Sequence, residues 1–158
     1  MEFPIYRGRR TRRNDALRAM VRETHLLPTD FIYPLFIVAG KDVREPIKSM
    51  PGVERFSVDR IAEEAREVSK LGVPAVILFG IPDSKDPEGT GAWDDEGVVP
   101  LATKEIKNAA PELQVICDVC LCEYTSHGHC GPLRQMPACT DEQEVDTFRM
   151  LCRTGKHS

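Results

Sequence analysis

Two continuous apolar runs and a third, interrupted segment, separated by segments with helical spacing, constrain the fold of this 158-residue chain most strongly. The runs cover residues 31–39 and 75–81 and are typical of strands buried on both faces, and residues 113–121 are predicted as a third strand. Helical spacing of apolar residues begins after Ser57, and a second helical pattern covers residues 98–110. Alternating strands and helices with long crossovers predict an α/β fold with a parallel sheet and right-handed connections.

Turn-rich segments are predicted to connect these elements. Residues 41–56 and residues 82–97 have no regular apolar pattern and are predicted as loops. Ser57 is predicted to cap the first of the two helices, and Gly72 is predicted to end it. Residues 140–153 are predicted as a third helix. Three strands are too few to close a (β/α)8 barrel, so the pattern predicts part of a larger fold.

The first 22 residues are strongly basic because they contain seven arginines: Arg7, Arg9, Arg10, Arg12, Arg13, Arg18 and Arg22. A nucleic-acid-binding arm and an organellar transit peptide are two possible interpretations. An arm that docks on an acidic protein surface, with a short helix capped by Asn14 or Asp15 and running to Glu23, is favoured because aromatic residues are not interleaved. The net charge of the whole chain is -4, which gives it no electrostatic reason to bind nucleic acid.

The composition is that of a soluble globular protein, with 41% apolar and 29% charged residues. No apolar run approaches the roughly 18 residues that a membrane span requires, so no membrane partner is expected. The N-terminus has no apolar segment typical of a secretory signal. A cytoplasmic, reducing location is therefore predicted, in which six cysteines favour free thiols or metal binding over disulfides.

Residues 117–130 concentrate four of the six cysteines and two of the four histidines at the end of the third predicted strand. Parallel α/β folds place their chemistry at this end of the strands. Side chains alternate along a strand, so Cys120 and Cys122 are predicted to share a face with Asp118. Cys117 has the opposite parity and is predicted to be a small buried hydrophobe. The polar segment that follows can bring Cys130 back over the strand end.

The cysteine spacing leaves several interpretations open. Three thiolates at about 2.3 Å would hold Zn²⁺ and leave a fourth position for water or substrate, as in a catalytic site. A closed structural site would add His127 or His129, whose other roles are proton transfer or shaping of the turn. Redox chemistry at the Cys-x-Cys pair and inert cysteines are further alternatives. Four aspartates in the long loop are predicted to be solvated rather than to bind a cation: Asp83, Asp86, Asp94 and Asp95.

Residues 117–130 of this chain read Cys-Asp-Val-Cys-Leu-Cys-Glu-Tyr-Thr-Ser-His-Gly-His-Cys. This segment resembles the metal-site signature of zinc-dependent delta-aminolevulinic acid dehydratases, also called porphobilinogen synthases. Upstream segments are also similar to this family, namely Arg12-Arg13-Asn14, residues 33–38 (Tyr-Pro-Leu-Phe-Ile-Val) and residues 44–53 (Arg-Glu-Pro-Ile-Lys-Ser-Met-Pro-Gly-Val). The resemblance covers residues 7–131 and combines residue identity with spacing.

The resemblance implies a (β/α)8 barrel that condenses two 5-aminolevulinate molecules to porphobilinogen in tetrapyrrole synthesis. It implies a zinc site formed by Cys120, Cys122 and Cys130, with Asp118 lining the same pocket. It also implies an N-terminal arm, residues 1–30, that embraces a neighbouring subunit in a homo-octamer. Residues 31–158 would then form an incomplete barrel with the first three βα units.

One departure from the family pattern concerns the lysines. The family forms Schiff bases through two lysines on later barrel strands, and none of the seven lysines in this sequence matches those positions. The expectation is therefore the N-terminal half of such an enzyme, inactive alone and prone to aggregate through two open parallel edges and an apolar inner face. The alternative is a non-enzymatic zinc-binding module.

Overall fold

The computed structural model describes Ile5, residues 8–135 and residues 142–144. Its helices are α1 (Asp15–Met20), α2 (Ile61–Lys70) and α3 (Val98–Ala109), with 3₁₀ turns at Arg10–Arg12, Pro28–Asp30, Val58–Arg60 and Thr90–Trp93. Its strands are β1 (Ile32–Val38), β2 (Arg44–Pro46), β3 (Glu54–Ser57), β4 (Ala75–Ile81), β5 (Gln114–Cys117), β6 (Leu133–Gln135) and β7 (Glu142–Glu144).

The main sheet has five strands in the order β2-β3-β1-β4-β5. Strand β1 pairs in parallel with β4 along its whole length, from Ile32 opposite Ala75 to Val38 opposite Ile81, and β4 pairs in parallel with β5. The predicted parallel α/β architecture is confirmed. Among the described residues the sheet remains open, as the predicted partial barrel requires. All carboxyl ends of β1, β4 and β5 therefore lie at one edge.

Two strands appear where the sequence predicted only a loop over residues 41–56. Strand β3 pairs in parallel with β1, and β2 pairs with β3 in the antiparallel direction. Both strands are short, and the three residues of β2 are exposed. A three-residue exposed edge strand has no apolar alternation, which explains why the pattern gave no signal.

Ser57 does not cap α2 as predicted. Its buried hydroxyl accepts a hydrogen bond from the Val43 amide at 2.8 Å and donates one to the Val43 carbonyl at 3.4 Å. A 3₁₀ turn follows Ser57, and α2 begins only at Ile61. The hydroxyl thus ties the β1–β2 connection to β3 instead of satisfying the start of the helix. Gly72, with φ +79°, ends α2 as predicted.

The core lies between the outer face of the sheet and the two long helices. Its buried members include Leu35 and Ile37 of β1, Val76 and Leu78 of β4, Ile61, Ala65 and Val68 of α2, and Val99, Ala102 and Ile106 of α3. The other face carries the stacked rings of Phe36 and Phe79, with centroids 5.3 Å apart, and leaves Ile116 38% exposed. That face is the apolar surface that the sequence predicted to be open.

Two further helix predictions require correction. Helix α1 is capped by Asn14, whose side chain accepts a hydrogen bond from the Leu17 amide, but it ends at Met20 and not at Glu23. The helix predicted over residues 140–153 is wrong at Glu142–Glu144, which form a strand antiparallel to Leu133–Gln135. The rest of that segment lies outside the described residues. Within the described part of the chain, no helix has the length and apolarity to cross a membrane.

Candidate metal centre

The candidate site lies in residues 118–131, called here the cysteine loop, directly after β5. The third strand was predicted to reach residue 121, but β5 ends at Cys117. Cys120 and Cys122 therefore do not lie on a strand, and strand alternation is the wrong reason for their proximity. Instead, the amides of Tyr124 and Thr125 both donate to the Leu121 carbonyl at 2.9 Å, which turns the backbone tightly. The side chain of Leu121, between the two cysteines, is fully buried.

Three sulfur atoms meet at this turn. The Cys120 sulfur lies 3.0 Å from both the Cys122 and the Cys130 sulfur, and all three side chains are partly buried. These separations exceed the roughly 2.05 Å of a disulfide bond. Two thiolates on a tetrahedral zinc ion, with bonds of about 2.3 Å, lie about 3.8 Å apart. Small outward movements of the sulfurs would accommodate an ion, so the donor set fits a metal of this type.

The three thiols differ in acidity. Burial raises the pKa of Cys120, and its hydrogen bonds with Cys122 and Cys130 raise it further. The pKa of Cys130 is lowered, chiefly because it accepts the hydrogen bond of the Cys120 thiol and also those of two backbone amides. Burial raises the pKa of Cys122 as well. A metal that binds here therefore has to displace thiol protons.

Two carboxylates border the sulfur cluster. Ligand atoms of Asp118, Cys120 and Glu123 lie within 4.8 Å of one another. Burial and the neighbouring Glu123 raise the pKa of Asp118. The Cys122 thiol donates to the Glu123 carboxylate at 3.4 Å. Asp118 was predicted to lie beside the cysteines. Glu123 was missed because strand alternation would place it on the opposite face from Cys122.

The two histidines shape the loop. The clusters of possible ligands among the described residues contain neither His127 nor His129. The Nε2 of His127 lies 3.0 Å from the Pro87 carbonyl, while its Nδ1 accepts the His129 amide at 3.2 Å. Both bonds together make Nε2 the donor and Nδ1 the acceptor. The turn-shaping interpretation is therefore favoured over metal ligation.

Cys117 lies apart from the other thiols, as predicted. It packs against the main core, and its sulfur is 3.9 Å from the Thr103 hydroxyl. Burial raises its pKa. The cysteine loop has a small core of its own, formed by Ala92, Leu121 and Tyr124 with Trp93 packed against it.

Gly80 of β4 lies close to the Tyr124 hydroxyl and to Val99. A β-carbon at this position would overlap the Tyr124 hydroxyl and a Val99 methyl group. We expect Gly80→Ala to lower the free energy of unfolding by about 1–3 kcal/mol, because overpacking forces neighbouring side chains to move. Urea denaturation followed by circular dichroism measures this. The control is Gly8→Ala, whose added carbon meets only the Thr11 hydroxyl, at 3.8 Å. Equal stability of the two variants would contradict the prediction.

A sequence model described as "Delta-aminolevulinic acid dehydratase" matches residues 5–155. The chain belongs to this family. The delta-aminolevulinic acid dehydratase of Synechocystis sp. is 57% identical over 131 residues, which are 83% of this chain and 40% of the relative. The Bacillus subtilis protein of the same name is 48% identical over 155 residues, which are 98% of this chain and 47% of the relative. The chain thus spans less than half the length of these two dehydratases.

A solved structure of the same family has a similar fold. The delta-aminolevulinic acid dehydratase (porphobilinogen synthase) of Toxoplasma gondii ME49, in complex with the reaction product porphobilinogen, superposes with a TM-score of 0.84 and 31% identity. The match covers 96% of this chain and 43% of the other. The resemblance identified from the sequence is confirmed at the level of family and fold.

Proposed function

We propose that this chain carries the metal-binding part of a porphobilinogen synthase, a hydro-lyase that condenses two 5-aminolevulinate molecules to porphobilinogen. The observation that carries the proposal is the meeting of three cysteine sulfurs at the carboxyl end of β5, in a chain that belongs to the dehydratase family. The similarity to the Toxoplasma gondii enzyme in complex with porphobilinogen supports the same substrate class.

We propose Cys120, Cys122 and Cys130 as the ligands of a zinc ion. Zinc held by three thiolates would keep one position for a substrate oxygen and act there as a Lewis acid. Asp118 lies beside this cluster and its raised pKa lets it retain a proton more readily than an exposed aspartate does. We propose that Asp118 lines the substrate pocket on this side.

X-ray absorption of the zinc-loaded chain tests the ligand set. We expect three sulfur ligands and one lighter oxygen ligand. Four sulfurs, or three sulfurs and a histidine nitrogen, would instead support the alternative of a closed, non-enzymatic zinc module. Absence of zinc–sulfur scattering would contradict both.

The Schiff-base chemistry is proposed to depend on residues outside this chain. Schiff-base lysines need a desolvated pocket that lowers their pKa. All described lysines are exposed, namely Lys41, Lys48, Lys70, Lys85, Lys104 and Lys107. No described lysine therefore meets the requirement.

We expect the 158-residue chain alone to form no porphobilinogen from 5-aminolevulinate in the presence of zinc. The assay is colorimetric detection of porphobilinogen, with the Bacillus subtilis dehydratase as the positive control. Zinc-dependent product above the blank without enzyme would overturn this expectation.

We also propose that residues 1–30 form an arm that contacts a neighbouring subunit, as in a homo-octamer. Helix α1 buries none of its residues in this chain, and Met20 and Leu26 are 80% and 70% exposed. Such apolar side chains are typical of an interface. We place the protein in the cytoplasm, where reducing conditions keep its thiols available for metal.

A further inference from the structure

The carboxylate of Asp86 organises the start of the loop between β4 and α3. One oxygen accepts hydrogen bonds from the Glu88 and Gly89 amides, both at 2.8 Å. The other accepts from the Thr90 amide at 3.0 Å and the Thr90 hydroxyl at 2.6 Å. Four bonds to one carboxylate hold residues 86–90, called here the Asp86 turn, in one conformation. The sequence predicted a solvated Asp86; its side chain is partly exposed, and it also makes these four hydrogen bonds, which were not predicted.

The Asp86 turn is joined to the cysteine loop through the backbone. The Asp86 amide donates to the Tyr124 carbonyl at 3.4 Å, and the Ser126 amide donates to the Asp86 carbonyl at 3.0 Å. The Pro87 carbonyl accepts the His127 side chain. The Asp86 turn therefore forms hydrogen bonds with residues 124, 126 and 127 of the cysteine loop.

Side-chain packing also joins the Asp86 turn to the cysteine loop. Gly89 adopts φ +70° and is buried against the cysteine loop, where an added β-carbon would lie 3.1 Å from a Thr125 methyl group and 3.6 Å from Leu121. Leu121 lies between Cys120 and Cys122. The Thr125 hydroxyl donates to the His129 carbonyl at 2.7 Å, next to Cys130. The residues that contact the Asp86 turn are thus linked to all three cysteines.

We propose that Asp86 is a positioning residue for the metal-binding thiols: it fixes the turn against which the cysteine loop folds, and so preorganises the three sulfurs. This inference rests on the proposed function, since it presupposes zinc at the cysteines. Asp86 acts through the backbone of residues 88–90 and the Thr90 hydroxyl. Burial alone would raise the pKa of Asp86, but the bonds from Thr90, Glu88 and Gly89 outweigh it and lower the pKa, which keeps the carboxylate ionised.

The test compares Asp86→Ala, Asp86→Asn and Thr90→Val with the control Asp83→Asn, which removes the same charge from an exposed position of the same loop. Zinc affinity is measured by competition with a chromophoric chelator, and the Co²⁺ absorption spectrum reports the ligand geometry. Hydrogen exchange of residues 121–130 is measured on the metal-free chain. Circular dichroism confirms that each variant retains its fold.

We expect Asp86→Ala to weaken zinc binding by about 10–100-fold, as is typical for changes in groups that orient metal ligands. Asp86→Asn keeps one acceptor oxygen and should restore part of the affinity, while Thr90→Val should have a smaller effect. Co²⁺ absorption should weaken in the same order. Exchange in residues 121–130 should accelerate in Asp86→Ala but not in the control.

Equal zinc affinity, Co²⁺ spectra and exchange rates in the Asp86 variants and the Asp83→Asn control would overturn the inference. If Asp86→Ala did not fold, Asp86→Asn and Thr90→Val would decide by the same criteria. If the unaltered chain bound no zinc, the proposed function would fail. The exchange rates of the metal-free variants would still show whether Asp86 positions the loop.

Discussion

Substitution of Cys120, Cys122 or Cys130 by serine is expected to weaken zinc binding of this chain by more than about 100-fold in each case. Loss of a group that merely orients a ligand already costs about 10–100-fold, and loss of a ligand costs more. A serine hydroxyl is a poor replacement because it does not ionise near neutral pH and is a harder donor than a thiolate. Competition with a chromophoric chelator at constant pH measures the affinity.

Cys117→Ser is the matched control for these variants. Cys117 is also a partly buried thiol, but it belongs to neither group of possible metal ligands among the described residues. The zinc affinity of the Cys117→Ser variant should equal that of the unaltered chain within about threefold, a difference in binding free energy of less than 1 kcal/mol. Unchanged affinity in all three ligand variants, or a loss in Cys117→Ser as large as theirs, would exclude the proposed ligand set.

Leu121→Ala is expected to destabilise the cysteine loop by about 2–5 kcal/mol, the usual cost of removing a fully buried leucine side chain. Leu121 is 0% exposed and packs with Ala92, Tyr124 and Trp93, so the substitution leaves a cavity beneath the turn. Hydrogen exchange of residues 121–130 measures the local loss, and urea denaturation measures the global loss. Zinc affinity should fall as well, because residue 121 lies between two proposed ligands in the sequence.

Val119→Ala is the control for Leu121→Ala. Val119 lies in the same loop but is 41% exposed, and exposed substitutions usually change stability by less than about 0.5 kcal/mol. If both variants showed the same exchange rates and the same zinc affinity, the small core under the cysteine loop would not support the site.

The long buried strands and the two long helices, α2 and α3, were predictable from the sequence because burial imposes a pattern. Strands β1 and β4 lie within the predicted apolar runs, and α3 covers Val98–Ala109 of the predicted 98–110. Strands β2 and β3 were missed because an exposed edge strand and a four-residue strand create no periodic signal. The hydroxyl of Ser57 satisfies the backbone of Val43 instead of the helix, a long-range preference that local capping rules do not contain.

The sequence predicted which cysteines form the site better than it predicted how the backbone brings them together. The spacing of the cysteines selected Cys120, Cys122 and Cys130, which the structure brings together. Strand alternation gave the wrong account of why the first two meet, because the turn after Leu121 depends on contacts with a distant loop. The role of Asp86 was not predictable, since nothing in the local sequence shows that residues 86–90 lie against residues 121–127.

All three proposed ligands come from the eleven residues 120–130, counted inclusively, so bringing them together closes only a short loop. The entropic cost of closure rises with loop length, and here it is small. The described contacts that support the cysteine loop come from residues 78–131. During synthesis, the proposed zinc site is therefore expected to form once Gly131 has left the ribosome.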